Sequence, residues 1–477
     1  MPDAGPNRFP ADLLVALDHS RPRSLRAQLE RALRDAIARG SLAPGTALPP
    51  SRILAAELAV SRSVVAAAYE QLATEGYLQA RRGSGTRVRA QDTGDRPRHP
   101  ARRDMSSWPG TRRPRWHYSG EPDPALFPRR DWLRCFRDVL REMPDSGLLY
   151  PEPSGAPELR TALAAYLGRV RGVRTTPDDV VICGGFSHGL TLLCRALGLR
   201  GLRRIAVEDP CFSNHRRMIR AAGLHPVPVP VDEHGLQTSR LAGLDVDAVI
   251  LSPAHSFPSG VVLSADRRVE LLEWARAADT LVIEDDYDAE LRYDRLPIGA
   301  VQGLDPERVV YGGSVSKVLS PALRLGWLIT PPHLTEDIVL AKYLDDVASE
   351  ALGQLTLARF IDTGAFARHL RRVRPIYRSR RDRLLTGLAA HLPEIQPSGE
   401  AAGLHLLLRL PPEPDADTLL EAAAKHGIRL EHAAPHWADH NPQPPALLVG
   451  YGGLRQSTLE HDIETLATEL HAAAVLP

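Results

Sequence analysis

Lysine is close to absent from this chain. Three lysines (Lys317, Lys342 and Lys425) stand against 56 arginines in 477 residues. Positive charge is therefore carried almost entirely by a group that stays protonated, and each lysine that is kept invites a chemical explanation. Cysteine is scarce too. The four cysteines (Cys135, Cys183, Cys194, Cys211) show neither CxxC nor metal-ligand spacing, so no metal site is expected, and reduced thiols in a cytoplasmic protein are. No apolar stretch is long enough to span a bilayer. The polar N-terminus, with Pro2, Asp3, Pro6, Asn7 and Arg8, lacks the apolar centre of a signal peptide.

What is present is the composition of a soluble globular protein, 43% apolar and 25% charged, with a length that argues for two or three domains. The net charge of +1 hides an asymmetry. Residues 1–118 hold twenty arginines and eleven acids, a net +9, which leaves −8 for the rest. A basic head on an acidic body suggests that the head meets a polyanion.

In the head, SLRAQLERALRDAIARG (24–40) spaces Leu25, Leu29, Leu33 and Ile37 as one helical face, with Ser24 as cap and Gly40 as stop. Ser51 is expected to cap a short helix through Leu58, and Ser61 a second one running to about Thr74. Two short helices about a tight turn form a helix-turn-helix. The stretch from Gly76 to Arg89 then reads as two strands around Gly83-Ser-Gly85, a wing with arginines on both sides of its tip. Residues 91–118, rich in Pro, Arg, Asp, Ser and Gly without apolar periodicity, read as an exposed mobile linker.

From about residue 120 short apolar runs alternate with amphipathic helices. The runs are 179–183, 204–208, 248–252, 281–284 and 309–311, which predicts a buried, parallel-type sheet and an α/β domain. After about residue 365 a long basic helix, a strand and two further helices predict a smaller α+β lobe.

Chemistry gathers where these strands end. Lys317 lies in Tyr311-Gly-Gly-Ser-Val-Ser-Lys-Val-Leu-Ser-Pro-Ala-Leu-Arg324. An ammonium can lose its proton and hold an aldehyde as a Schiff base, whereas a guanidinium cannot. Ser314 and Ser316 add hydroxyls, and Arg324 a fork suited to phosphate. That set describes a pyridoxal 5'-phosphate (PLP) lysine. Gly184-Gly185-Phe186-Ser187 opens a helix and offers backbone N–H groups to an anion. Phe212 follows another strand and offers an aromatic face, and Glu284-Asp285-Asp286-Tyr287-Asp288 closes a third. A carboxylate there would keep a pyridine nitrogen protonated and the ring electron-poor.

The order of these features resembles a known family. From about 120 onward the chain looks like a fold-type I aminotransferase. Residues 15–90 look like a GntR-type winged helix through LPPSR, SRSVVAAAYEQL and RRGSGT. This fusion marks the MocR-type regulators of the GntR superfamily. The resemblance implies a head at 1–90, a linker at 91–118 and a PLP-binding effector domain at 119–477. It gives Lys317 the Schiff base, Asp285 the pyridine nitrogen and Tyr287 the ring hydroxyl. Phosphate falls to Ser314, Ser316, Arg324, Ser187 and the backbone at Gly185 and Phe186, and ring stacking to Phe212. Tyr150 matches a tyrosine that reaches the neighbouring subunit's phosphate, implying a domain-swapped homodimer. Arg52, Ser61, Arg62 and Ser63 match DNA-facing positions, with Arg82, Gly83 and Gly85 in the wing.

Two departures stand out. Ser256 follows His255 where the family often has Gln. Leu448 stands two residues before Gly450, where relatives commonly carry an arginine that forks onto a substrate carboxylate; Arg455 is a nearby substitute. The expected function is a PLP-dependent transcriptional regulator that binds double-stranded operator DNA and senses PLP or an amine. The alternatives are an active aminotransferase with an appended head, and a cofactor-free body used for dimerisation.

Overall fold

A computed structural model describes residues 17–18, 25–81, 85–89, 119–293, 298–411, 416–425, 428–440, 444–455 and 457–472. The expected linker and the wing-tip residues Arg82 and Gly83 lie outside the described residues. The chain divides into two compact units between residues 108 and 109.

The first unit contains α1 (Leu25–Ala38), α2 (Ser51–Glu57), α3 (Arg62–Thr74), β1 (Leu78–Arg81) and β2 (Gly85–Val88). Leu29, Leu33 and Ala36 of α1 meet Val65, Ala68 and Leu72 of α3, and Leu78 and Val88 close the core from the β1–β2 hairpin. Gly40 ends the first helix as expected, at φ +77°. The cap at Ser51 differs from expectation: Pro50 occupies the N-cap and Ser51 is already helical. Proline presets the extended backbone that precedes a helix, and its carbonyl takes the N–H groups of Ile53 and Leu54. Ser61 does occupy the N-cap of α3, but its hydroxyl pairs with Ser63 Oγ at 2.7 Å and caps no N–H. The Tyr69 hydroxyl donates to Pro49 O at 2.9 Å, fixing α3 against the entry to α2.

The second unit opens with α4 (Arg129–Glu142) and α5 (Pro157–Arg171). An alternating series follows: β3 (Val180–Cys183), α6 (Phe186–Leu199), β4 (Arg204–Asp209), α7 (Ser213–Ala221), β5 (His225–Asp232), β6 (Gly235–Leu236), β7 (Ala248–Leu251), α8 (Ala265–Ala277), β8 (Leu281–Asp286), β9 (Val309–Ser314) and β10 (Gly326–Ile329). The sheet order is β3-β10-β9-β8-β7-β4-β5-β6. Strands β4, β5, β7, β8 and β9 run parallel, and the buried apolar stretches within β4, β7, β8 and β9 suit a sheet covered on both faces. The sheet is nevertheless mixed, because β10 runs antiparallel between β3 and β9. That reversal matters for the site. Gly326 pairs with both Cys183 and Ser314, so the residues just before β10 sit at the same edge as the ends of β3 and β9.

The remaining elements are α9 (Pro332–Asp346), α10 (Ala351–Asp362), α11 (Ala365–His391), β11 (Gln396–Ser398), β12 (His405–Arg409), α12 (Ala416–Lys425), β13 (Leu430–His432), β14 (Ala446–Gly450) and α13 (Leu459–Ala472). Strands β11-β12-β14-β13 form the antiparallel sheet of the α+β lobe. No helix among the described residues is long and apolar enough to cross a membrane.

Candidate functional site

The parallel strands bring the expected residues to one place. Gly185, Phe186, Ser187, Phe212, Asp285, Tyr287, Ser314, Ser316, Lys317 and Arg324 line a single cavity of about 240 Å³. Strand alternation selects among the three consecutive acids. Asp285 points into the cavity, while its neighbours turn to the other face. There Glu284 accepts the N–H groups of Val301 and Gln302 at 3.0 and 2.9 Å. Asp286 pairs with Arg171 at 2.8 Å and accepts from the Tyr311 hydroxyl at 2.5 Å.

Asp285 is buried, with Oδ2 3.3 Å from His215 Nε2 and, among the described residues, no hydrogen-bond partner for Oδ1. Burial raises its pKa above the ordinary carboxylate range, against the lowering effect of His215. An unsatisfied buried carboxylate oxygen is costly, and one facing a cavity asks for a donor from whatever fills it. Nearby, the Tyr287 hydroxyl lies 3.0 Å from His255 Nδ1, which is 2.9 Å from Asp288 Oδ2. Burial and Asp288 hold the phenol protonated, well above its usual pKa.

Lys317 follows β9, and its amine ends beneath Gly120. A Cβ built on Gly120 would stand 3.2 Å from Nζ, and Gly120 sits at φ +75°, a conformation that favours glycine. Burial lowers the Lys317 pKa, while Asp288, Glu121, Asp285 and Glu431 oppose that shift. At the opposite end, Gly185 at φ +99° caps α6, and a Cβ there would come within 3.2 Å of Arg324 Nη2. Arg324 itself sits at φ +50°, a left-handed conformation uncommon for a non-glycine residue, and its guanidinium donates to Gly184 O. The open N-terminus of α6, two serines and this arginine form an anion cradle. Ring, amine and anion ends together fit PLP: a donor for Asp285, an amine for the aldehyde and a seat for the phosphate.

Tyr150 is not in this cavity; it is 90% exposed. Leu448 is fully buried in a small apolar cluster with Leu407, Ala433 and Ala446, against Phe257 and Trp437. Arg455 is exposed and is not among the residues that line the cavity. In the head, Arg52, Ser61, Arg62 and Ser63 are all exposed around the starts of α2 and α3, and Gly85 opens β2 at φ +80°.

The family Aminotransferase class I and II matches residues 123–439, and the bacterial regulatory proteins of the gntR family match residues 25–88. Over both parts at once, the chain is 33% identical to the HTH-type pyridoxine biosynthesis transcriptional regulator PdxR of Corynebacterium glutamicum, covering 94% of this chain and 96% of that one. It is 34% identical to the HTH-type transcriptional regulator YhdI of Bacillus subtilis (96% and 98% covered) and 30% identical to the probable rhizopine catabolism regulatory protein MocR of Rhizobium meliloti (97% and 98%). The chain belongs to the MocR-type regulators of the GntR family. Its body shares the fold of the PLP-dependent aminotransferases. The kynurenine aminotransferase of Pyrococcus horikoshii superposes with a TM-score of 0.68 at 26% identity, over 74% of this chain and 90% of that one. An archaeal alanine:glyoxylate aminotransferase gives 0.69 at 26%, over 76% and 92%.

Several lining residues of this MocR-type chain escaped the reading of its sequence: Ser119, Gly120, His215, Phe257 and Pro321. They come from four separate segments; His215 lies three residues after Phe212, Pro321 three before Arg324, and Phe257 two after His255. Also unforeseen is the tie from the C-terminal lobe. Arg216 donates to the carbonyls of Pro435, His436 and Trp437 at 2.8–2.9 Å, and Asp209 accepts from Ala438 N at 2.8 Å. This sets the His436 ring nearly parallel to Phe212, 6.4 Å away at 19°.

Proposed function

We propose that the body of this regulator binds PLP and that its occupancy, or that of an amine beside it, controls operator binding by the head. The observation that carries the reading is the buried Asp285 oxygen without a partner among the described residues, in the same cavity as Lys317 and Arg324. PLP supplies an electron-poor ring and an aldehyde that amines can engage. Lys317 would hold the cofactor covalently, and Asp285 would accept from its ring nitrogen, with His215 steadying the other carboxylate oxygen. Tyr287 would donate to the ring hydroxyl, and Phe212 would cover one face. Ser187, Ser314, Ser316, Arg324 and the backbone at Gly185 and Phe186 would take the phosphate. Tyr150, exposed in one chain, would complete the same site in a second copy, making a homodimer.

The proposed domains are a DNA-binding head at 1–90, a linker at 91–118 and an effector domain at 119–477, in a cytoplasmic protein. In the dimer two heads would read two half-sites of double-stranded DNA. Arg52, Ser61, Arg62 and Ser63 would face DNA with α3 in the major groove, and Arg82, Gly83 and Gly85 would form the wing tip. Sensing without net turnover is favoured because Leu448 removes the usual carboxylate anchor and Arg455 is not among the residues that line the cavity. The test is the visible spectrum of purified full-length protein. Lys317→Ala and Lys317→Arg should both lose the cofactor band while keeping the far-UV circular dichroism of the wild type. A band unchanged in Lys317→Ala would overturn the cofactor assignment, and sustained keto-acid formation would favour an enzyme.

A further inference from the structure

The small antiparallel sheet presents one face toward the amine end of the cavity, and its register identifies what that face carries. Leu448 pairs with Leu407 on one side and with Glu431 on the other, and Gly450 pairs with His405. Residues two apart in a strand share a face, so His405, Leu407, Leu448 and Glu431 stand together. This is the face that meets Phe257, itself a wall of the cavity. Where an arginine at 448 would have offered positive charge, its cross-strand neighbour is a carboxylate.

Glu431 reaches the cavity wall. Its Oε1 accepts from the backbone N–H of Ser119 at 2.6 Å, and Ser119 and Gly120 both line the cavity beside Lys317. A carboxylate has roughly four lone-pair sites, so one backbone N–H leaves room for a ligand donor. Glu121 follows directly and Asp288 lies behind His255, so the charges closest to the amine end are negative. The cavity's guanidinium, Arg324, is at the phosphate end.

His405 supplies a second, independent sign of a ligand. It is 3% exposed, one ring nitrogen faces the backbone of Pro258 and the other has no partner among the described residues, and its ring lies 4.7 Å from Phe257 and 5.4 Å from His255. Burial holds it well below the usual histidine pKa, so it is neutral and keeps an acceptor nitrogen.

From this arrangement we infer that the effector is a primary amine carrying a second cationic group and no α-carboxylate, a diamine, whose far end is recognised by Glu431 and His405. An amino acid of the same length would set its carboxylate against Leu448 and Glu431, paying desolvation and repulsion together. The inference rests on the proposal that the cavity holds PLP beside Lys317, and it adds the chemical class of the ligand.

The experiment uses full-length, PLP-loaded protein and isothermal titration with three probes of similar length: putrescine, aminobutanoate and butylamine. Putrescine should bind about tenfold or more tightly than either of the others, the worth of one hydrogen bond to a charged group. Glu431→Gln should lower the putrescine-to-butylamine affinity ratio about tenfold. Leu448→Arg should move the preference toward aminobutanoate, with melting curves establishing that each variant is folded. Aminobutanoate binding as tightly as putrescine to protein that shows the cofactor band would overturn the diamine inference and leave the cofactor reading standing. An unaltered ratio in folded Glu431→Gln would overturn it as well. Absence of the cofactor band from protein incubated with PLP would instead defeat the reading on which it rests.

Discussion

Replacing Asp285 with asparagine isolates the charge that the cavity directs at a bound ring. The side chain keeps its size, and an acceptor can still face His215, 3.3 Å from Oδ2 in the wild type. What is lost is the anionic Oδ1, which has no hydrogen-bond partner among the described residues. A hydrogen bond to a charged group contributes about 1.5–3 kcal/mol. PLP affinity should therefore fall about ten- to a hundredfold. The free protein should respond in the opposite sense. Burial disfavours the Asp285 anion, as its raised pKa records, so the amide relieves a desolvation cost and the ligand-free melting temperature should not drop. Fluorescence titration of cofactor-stripped protein with PLP, alongside thermal melts, measures both effects. Unchanged PLP affinity in Asp285→Asn, together with loss of the cofactor band in Lys317→Ala, would refute the role given to Asp285. A variant destabilised by several kcal/mol would show that the carboxylate is structural.

Three other outcomes follow from the same structure. Arg52→Ala and Arg62→Ala should each weaken operator binding and reduce its steep salt dependence by roughly one phosphate contact, leaving PLP affinity as it was; equal operator retention in gel shifts would contradict this. Arg171→Met leaves Asp286 buried opposite a lost partner at 2.8 Å and should cost about 3–5 kcal/mol in denaturant melts, which a change under 1 kcal/mol would contradict. Glu208, buried beneath the site, has its pKa raised by burial from 4.5 to about 8. The unfolded chain releases this proton first, so its contribution to stability declines as pH rises from about 4.5 and levels off above about 8, and Glu208→Gln should flatten that decline in melts across this range.

The head was legible almost residue by residue, because helical periodicity and glycine punctuation act locally. Two serine caps differed from expectation: Pro50 takes the N-cap of α2 from Ser51, and the Ser61 hydroxyl pairs with Ser63 instead of an N–H. In the body the buried strands β3, β4, β7, β8 and β9 announced themselves as short apolar runs, but β5, β6 and β10 of the large sheet and three of the four strands of the small sheet did not. In β10 the residues Gly326–Ile329 follow directly on the Lys317 segment, and nothing local reveals that they turn back antiparallel between β3 and β9. In β5 three prolines argue against a strand. They alternate, however, so that His225 donates toward β4 while Pro226, Pro228 and Pro230 put their missing N–H groups on the outer edge, where a proline discourages further pairing. The cavity was legible wherever a side chain stands at a strand end. Gly120, His215 and Phe257 were not, because three distant segments bring them to the cavity that Lys317 lines. Leu448 was read as an absence, and only the sheet register shows that a carboxylate, Glu431, stands beside it.

On the proposed function, what occupies the body's cavity governs what the head binds. The most direct test is the operator affinity of the full-length protein, measured by fluorescence anisotropy at fixed salt, with the cofactor removed, with PLP restored, and with PLP plus putrescine. Affinity should differ among these states in the wild type and become indifferent to PLP and putrescine in Lys317→Ala. Identical operator affinity in all three wild-type states, with the cofactor band present whenever PLP is added, would contradict the proposed function.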